Sequence, residues 1–303
     1  MREIAVLLRE VRDPRPPARL EGGAEVRESG LRRLVNPADL AALEMAVRAA
    51  ERSGAQVAAL AVGDEQLDDC LRLALSAGAT RAIRVWDDAM RGGDAVAGAA
   101  VLHRVLEILQ PALFFTGYRL LDRGDDPVAA LAAANHGMPC VNAALSFELV
   151  EGRAEIVRKA EKGARQRLEA TLPCAVLFDA GAAEPRYPAL PEVLAAMEAP
   201  LEVWGIADLG LPPWELGFDG SALDRAGLAF PRSNPVRVAT PDPSDPGHER
   251  VRALFSGGIR PRAGQMHFAS TDETVSRILA IFAEEGLLPS SPRTEASLDR
   301  TRR

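Results

Sequence analysis

The side chains of this chain that could carry chemistry are few and scattered. Its four histidines, His103, His136, His248 and His267, show neither an H-E-x-x-H pattern nor paired metal spacing. Its three cysteines, Cys70, Cys140 and Cys174, form no C-x-x-C pair for zinc, an iron–sulfur cluster or a redox dithiol, and read as buried small apolar residues. No G-x-S-x-G marks a hydrolase nucleophile, no G-x-x-x-x-G-K-[ST] supplies a phosphate cradle, and no G-x-G-x-x-G follows the first apolar run. A stand-alone ATP-using enzyme needs a glycine-rich or S-G-G-type pyrophosphate loop there, and Glu10-Val11-Arg12-Asp13 is not one. The acids between Tyr118 and Asp126 read as solvated or capping groups, and His103, inside a helical pattern, as packed or surface. Nothing demands the making or breaking of a substrate bond.

The elements that must position any binding groups are clearer. Short Ile/Val/Leu runs alternate with helical stretches, the mark of a mainly parallel sheet covered on both faces. Ile4 to Leu8, Gln56 to Val62, Arg81 to Val85 and Leu113 to Thr116 read as strands, the last ending at Gly117. Asn36-Pro37 opens a helix that Gly54 stops, with Leu40, Leu43, Val47 and Ala50 on one face. Glu65 to Ser76 and Asp94 to Leu109 read as further helices, and Pro127-Val128 starts a small-residue helix through Asn135. From Ala143 to Leu172 the rhythm changes to an antiparallel addition, then Ala175 to Phe178 returns to a buried strand, and around Glu184-Pro185-Arg186-Tyr187 the sheet ends. The expected domains are residues 1–190 as an α/β nucleotide-binding domain, 191–288 as a recognition loop and extended C-terminal arm packing on a partner, and 289–303 as a disordered tail. Pro212 to Gly264 reads as an insertion, and Gly257 to Gly264 as a shaped structural loop.

Composition narrows the class. At 303 residues and 47% apolar content the chain can bury a large core, while its net charge of -7 lacks the basic footprint of a nucleic-acid or membrane-surface protein. No stretch approaches the ~20 apolar residues of a membrane span, so no membrane insertion and a cytoplasmic location are expected.

Five stretches, in order, resemble the beta subunits of electron-transfer flavoproteins (the FixA-containing family). They are Asn36-Pro37-Ala38-Asp39 leading into Ala42 to Ala46; Leu71 to Ala82; Gly117 to Asp126; Leu172-Pro173-Cys174-Ala175-Val176; and Glu184-Pro185-Arg186-Tyr187-Pro188-Ala189-Leu190-Pro191. Their order and spacing carry the resemblance, which spans about residues 1 to 210. It implies a Rossmann-like fold of adenine-nucleotide-binding type, and an electron carrier rather than an enzyme. It implies partnership with an alpha subunit and a flavin-dependent dehydrogenase, with an FAD shared with the alpha subunit and an AMP in the beta subunit. The AMP positions would be Leu7; Asn36, Pro37, Ala38 and Asp39; Val62; and the loop of Gly117, Tyr118, Arg119, Leu120, Leu121, Asp122, Arg123, Gly124, Asp125, Asp126, Pro127, Val128 and Ala129. Leu190, flanked by Tyr187 and Pro191, would be the plug that docks on the dehydrogenase.

The chain also departs from the family. Asp126-Pro127-Val128-Ala129 offers neither the amide nor the hydroxyl that relatives place there, and Pro127 removes an N–H donor. Arg119 and Arg123 are candidates to compensate as phosphate ligands. Pro14 and Ala38 stand where many relatives have aromatic residues near the flavin, and the lysines that follow the docking leucine in relatives are missing from Val193 to Pro200. Two alternatives follow: a bifurcating-type subunit with a second FAD in place of AMP, or a nucleotide-free scaffolding subunit.

Overall fold

A computed structural model describes residues 3–16, 20–21, 25–26, 32–224, 241–255 and 268–284, with the backbone alone at 20–21 and 25–26. In chain order, β1 (Glu3–Leu7), β2 (Glu10–Arg12), β3 (Leu20–Glu21), β4 (Glu25–Val26) and β5 (Arg33–Val35) precede α1 (Pro37–Ser53). Then come β6 (Gln56–Val62), α2 (Asp68–Ser76), β7 (Arg81–Val85), α3 (Ala95–Leu109) and β8 (Leu113–Gly117). A small hairpin of β9 (Arg119–Leu120) and β10 (Gly124–Asp125) leads into α4 (Val128–Asn135). β11 (Cys140–Val150), β12 (Arg153–Lys159), β13 (Arg165–Thr171) and β14 (Cys174–Phe178) follow, then α5 (Leu190–Glu198), β15 (Glu202–Trp204) and α6 (Ile206–Leu209). Contacts divide the chain after Phe230, and the second unit holds α7 (Gly247–Phe255) and α8 (Thr271–Glu284). Among the described residues no helix is long and apolar enough to cross a membrane.

The main sheet has the order β13-β12-β11-β14-β8-β1-β6-β7-β15, parallel from β11 to β15, with β12 and β13 added antiparallel. This is the α/β class that the alternation of strands and helices predicts. Because side chains alternate along a strand, its central strands are apolar on both faces. Ile4 and Val6 of β1, Leu113 and Phe115 of β8, and Val176 and Phe178 of β14 enter a core shared with α1 and α2. Ala5, Leu7, Phe114, Ala175 and Leu177 of the same strands enter a second core, shared with α3 and α4. Phe115 meets Phe147 and Phe178 edge-on at 5.0 and 4.9 Å, a favoured aromatic geometry.

Three expectations change. The sheet does not end near Glu184 to Tyr187, because β15 pairs in parallel with β7 from Glu202 beside Ile83 to Trp204 beside Val85. Arg81 fastens that edge, donating to both oxygens of Glu202 at 2.8 and 3.0 Å and to Glu3 at 2.8 Å. Residues 191–224 therefore belong to the same unit as the sheet, with Ala196, Leu209 and Leu216 buried. Second, the stretch between Leu8 and Asn36, which carries no strand pattern in the sequence, contains β2 paired antiparallel with β5. Third, Cys70 and Cys174 are buried as expected but Cys140, at the start of β11, is exposed. The Gly257 to Gly264 loop and the 289–303 tail lie outside the described residues.

Candidate functional site

The site grows out of the point where the sheet changes direction. The chain leaves β1 through α1 on one face, and leaves β8 for α4 on the other, so the carboxyl ends of these neighbouring strands part. In open parallel sheets that gap is where ligands bind. Here its floor is filled by Asp39, from the first turn of α1. The fully buried carboxylate accepts six hydrogen bonds: from Arg9 N (2.9 Å), Nε (3.0 Å) and Nη2 (2.6 Å), Asn36 Nδ2 (3.1 Å), Thr116 Oγ1 (3.2 Å) and Gly117 N (2.7 Å). Gly117 is required by this approach, since a Cβ there would lie 2.5 Å from Ala38 Cβ and 2.6 Å from Asp39 Oδ1.

Asn36 precedes α1 but its side chain does not cap it. Instead it clamps the loop after β8, donating to Arg119 O at 2.8 Å and accepting from Leu121 N at 3.2 Å. The loop expected from Tyr118 to Asp126 is thereby folded into the β9–β10 hairpin.

Arg9 is the cation of the site. Its guanidinium donates to Asp39, to Asp126 Oδ2 at 2.8 Å and to Gly117 O at 2.7 Å, so one positive charge lies between two negative ones. Burial pulls its pKa down, but the two carboxylates more than restore it and hold it above the ordinary value.

Beside this cluster lies a cavity of about 230 Å³. Leu7, Val62, Met90, Ala97 and Val101 give it apolar walls, Trp86 adds an aromatic one, and Arg9, Asp94 and Asp126 supply its charge. Both helix starts at the cavity already hold a carboxylate. Asp94 caps α3, accepting from Val96 N at 2.9 Å and Ala97 N at 3.0 Å, and these bonds draw its pKa down. Its other oxygen accepts from Ala222 N and Leu223 N at 2.8 and 3.0 Å. That ties down a strap from Pro212 to Leu223, which closes one side of the cavity through Gly217. Gly217 has φ 54° and lies so close to Ala89 and Arg91 carbonyl oxygens that no Cβ fits. At α4, Asp126 Oδ1 accepts from Val128 N at 3.2 Å.

Of the positions expected to bind a nucleotide, Leu7, Val62, Asp126 and Val128 line the cavity. Asn36, Ala38, Asp39 and Gly117 build its support instead, with Pro37 at the first turn of α1. Leu120 and Ala129 are buried in the packing, while Leu121 is half exposed. Arg119 pairs with Asp125 at 3.1 Å and lies over Tyr118, and Arg123 faces Asp122 at 3.6 Å; neither lines the cavity. Arg9, Trp86, Met90, Asp94 and Gly217 were not expected. Asp94 had a signal in its place before a helical run; Arg9 and Gly217 had none, because their partners lie far along the chain.

The Glu184 to Pro191 segment is held from beneath. Arg186 donates to Glu44 through N (3.1 Å), Nε (2.8 Å) and Nη2 (3.2 Å) and to Glu51 at 2.7 Å, fixing the segment to α1. Arg72 donates to the carbonyls of Ala196 and Met197 at 2.8 and 2.7 Å and so closes the end of α5. On this base Tyr187 (98%), Leu190 (68%), Leu194 (55%) and Met197 (61%) are exposed. Leu190 is the first residue of a helix rather than part of an open loop.

A mostly parallel sheet with helices on both faces and a directional switch defines an open α/β protein. Residues 24–209 match the electron transfer flavoprotein domain. The electron transfer flavoprotein subunit beta of Bacillus subtilis is 30% identical over 252 residues, covering 83% of this chain and 96% of that protein. That of Methylophilus methylotrophus is 31% identical over 201 residues (65% and 76%), and protein FixA of Azotobacter vinelandii 30% over 240 residues (76% and 85%). The chain belongs to the electron transfer flavoprotein beta-subunit family.

That family implies association with a flavin and with AMP. Of the two positions expected at a flavin wall, Pro14 is exposed and Ala38 is buried beneath Gly117. For AMP the fit is divided. The apolar walls and Trp86 suit a base, and Asp126 suits ribose hydroxyls, but a phosphate needs an unpaired cation or free N–H groups. Here the cation is shared by two acids, Pro127 has no N–H, and carboxylates occupy both helix starts.

Proposed function

We propose that the chain works as the beta subunit of a heterodimeric electron-transfer flavoprotein, docking on an alpha subunit that holds most of an FAD and helping to pass electrons from a flavin-dependent dehydrogenase to a downstream acceptor. The observation that carries this reading is the similarity to the Bacillus subtilis beta subunit along 96% of that protein's length. Bound FAD would supply the redox centre. The chain's own residues supply surfaces: Tyr187, Leu190 and Pro191 stand on a base fixed by Arg186 and suit docking by the dehydrogenase. In the second unit, α8 exposes Val275, Ile278, Leu279 and Phe282 at the spacing of one helical stripe, which supports packing of the 191–288 region's far end on the alpha subunit. The missing basic cluster after Leu190 favours a dehydrogenase surface different from that met by lysine-rich relatives.

The cavity volume of about 230 Å³ weighs against a second FAD, being below the roughly 300–1,000 Å³ of pockets for drug-sized ligands. To test the reading, the chain and an alpha subunit are purified together and mixed with the reduced dehydrogenase while the flavin band is followed. Fast bleaching that requires this chain supports it; an alpha subunit bleached equally fast alone overturns it.

A further inference from the structure

The cavity beside Arg9 carries an inference that goes beyond electron transfer and holds whatever the chain's redox partner. Its charge is unlike that of a phosphate site. Arg9 makes four guanidinium hydrogen bonds, all to Asp39, Asp126 and Gly117, and contributes no net positive charge once its two acids are included. Asp94 adds a further negative charge at the wall, with both oxygens engaged by backbone N–H groups. An incoming phosphate would meet carboxylates at both helix starts, and like charges in a partly buried site repel.

The same carboxylates favour a different ligand. Asp126 accepts one hydrogen bond on each oxygen, from Val128 N and from Arg9 Nη1, and a carboxylate has about four acceptor positions. It can therefore take hydroxyl donors, as acids do when they hold a ribose. The remaining walls are apolar, with Trp86 offering an aromatic surface and Met90 a polarisable one. A space of about 230 Å³ suits one planar ring system with a small polar appendage.

We propose that this cavity excludes phosphate and takes an uncharged purine nucleoside, its ring beside Trp86 and its ribose hydroxyls on Asp126.

The test uses the full-length chain, in the complex in which it purifies, with adenosine and AMP as probes in parallel calorimetric titrations and thermal melts. Adenosine is expected to bind at least tenfold tighter than AMP and to raise the melting temperature more. AMP binding as tightly as adenosine, or AMP found at one per chain after denaturation, overturns the proposal, as does failure of adenosine to bind. Asp126→Asn removes one of the two charges on Arg9 and should improve AMP binding at least tenfold relative to adenosine. An unchanged ratio in a variant that melts like the parent contradicts the assigned role. The parent's own ratio decides the matter if that variant does not fold, and flavin content, measured on the same samples, reports separately on the electron-transfer reading.

Discussion

At the scale of single residues, Arg9 and Asp39 show how a buried ion pair sets the charge of a site. Removing one member of a buried pair typically costs about 3–5 kcal/mol, because the other charge is left unpaired. Arg9→Met, which strands the fully buried Asp39, is expected to lower unfolding stability by about that amount in urea titrations; a loss below about 1 kcal/mol would mean that water reaches the pair. Glu44 gives a pH dependence. Burial raises its pKa, but hydrogen bonds from Arg186 and Arg48 outweigh this and leave it below the ordinary 4.5. A depressed folded pKa means that its stabilising contribution is complete above the unfolded value and fades as pH falls through the folded one. Between pH 7 and 5 the melting temperature should show no effect from this group. Below about 4.5 the parent should lose more stability than Glu44→Gln; parallel curves would show that the carboxylate is not coupled to folding. The cysteines make a third case. Burial pushes the Cys174 thiol up to about 12 and Cys70 higher still, while Cys140 is an exposed residue whose thiol is raised by partial burial alone. At mildly alkaline pH an alkylating reagent should label one thiol per native chain, at Cys140, and all three after unfolding.

At the scale of elements, α1 is the organiser. Its first turn reaches β8 through Asp39 and Gly117, its side holds Arg186 through Glu44, and Asn36 before it folds the β9–β10 hairpin. Gly117→Ala should cost about 1–3 kcal/mol by forcing α1 away from the end of β8, read as a shifted urea midpoint with unchanged slope. Leu190→Ala on α5 should slow reduction of the complex by the dehydrogenase about tenfold or more, without change in melting temperature or flavin content. Equal loss of all three would place Leu190 in the folded core.

How far these elements could be read in the sequence follows from where their partners lie. Asn36-Pro37 announces α1 because Pro at a first turn and Gly54 at the end are local signals, and the strands around Phe114 and Val176 announce themselves by apolar runs. β15 does not: three residues, Glu202 to Trp204, carry no periodicity, and their pairing with β7 spans some 120 residues of chain. Asn36 is another such residue, since a cap is the local reading of an Asn before a helix and its side chain bonds to a loop 83 and 85 residues away. Arg9 is the extreme case, an arginine beside a strand whose acids stand 30 and 117 residues further on.

At the scale of the whole molecule, an open, mostly parallel sheet carries a small cavity at its directional switch. The strap from Pro212 to Leu223, the opening of a stretch that looked like an insertion without a role, closes a small cavity and feeds two backbone N–H groups to Asp94. Leu190, Leu194 and Met197 of α5 and Val275, Ile278, Leu279 and Phe282 of α8 are exposed apolar side chains. The central claim is that this chain completes a flavoprotein only as one subunit of two, and the most direct measurement is the flavin and subunit stoichiometry of the complex purified with an alpha subunit. The account predicts one copy of each chain and one FAD. A colourless chain that stays monomeric beside its alpha subunit would contradict it.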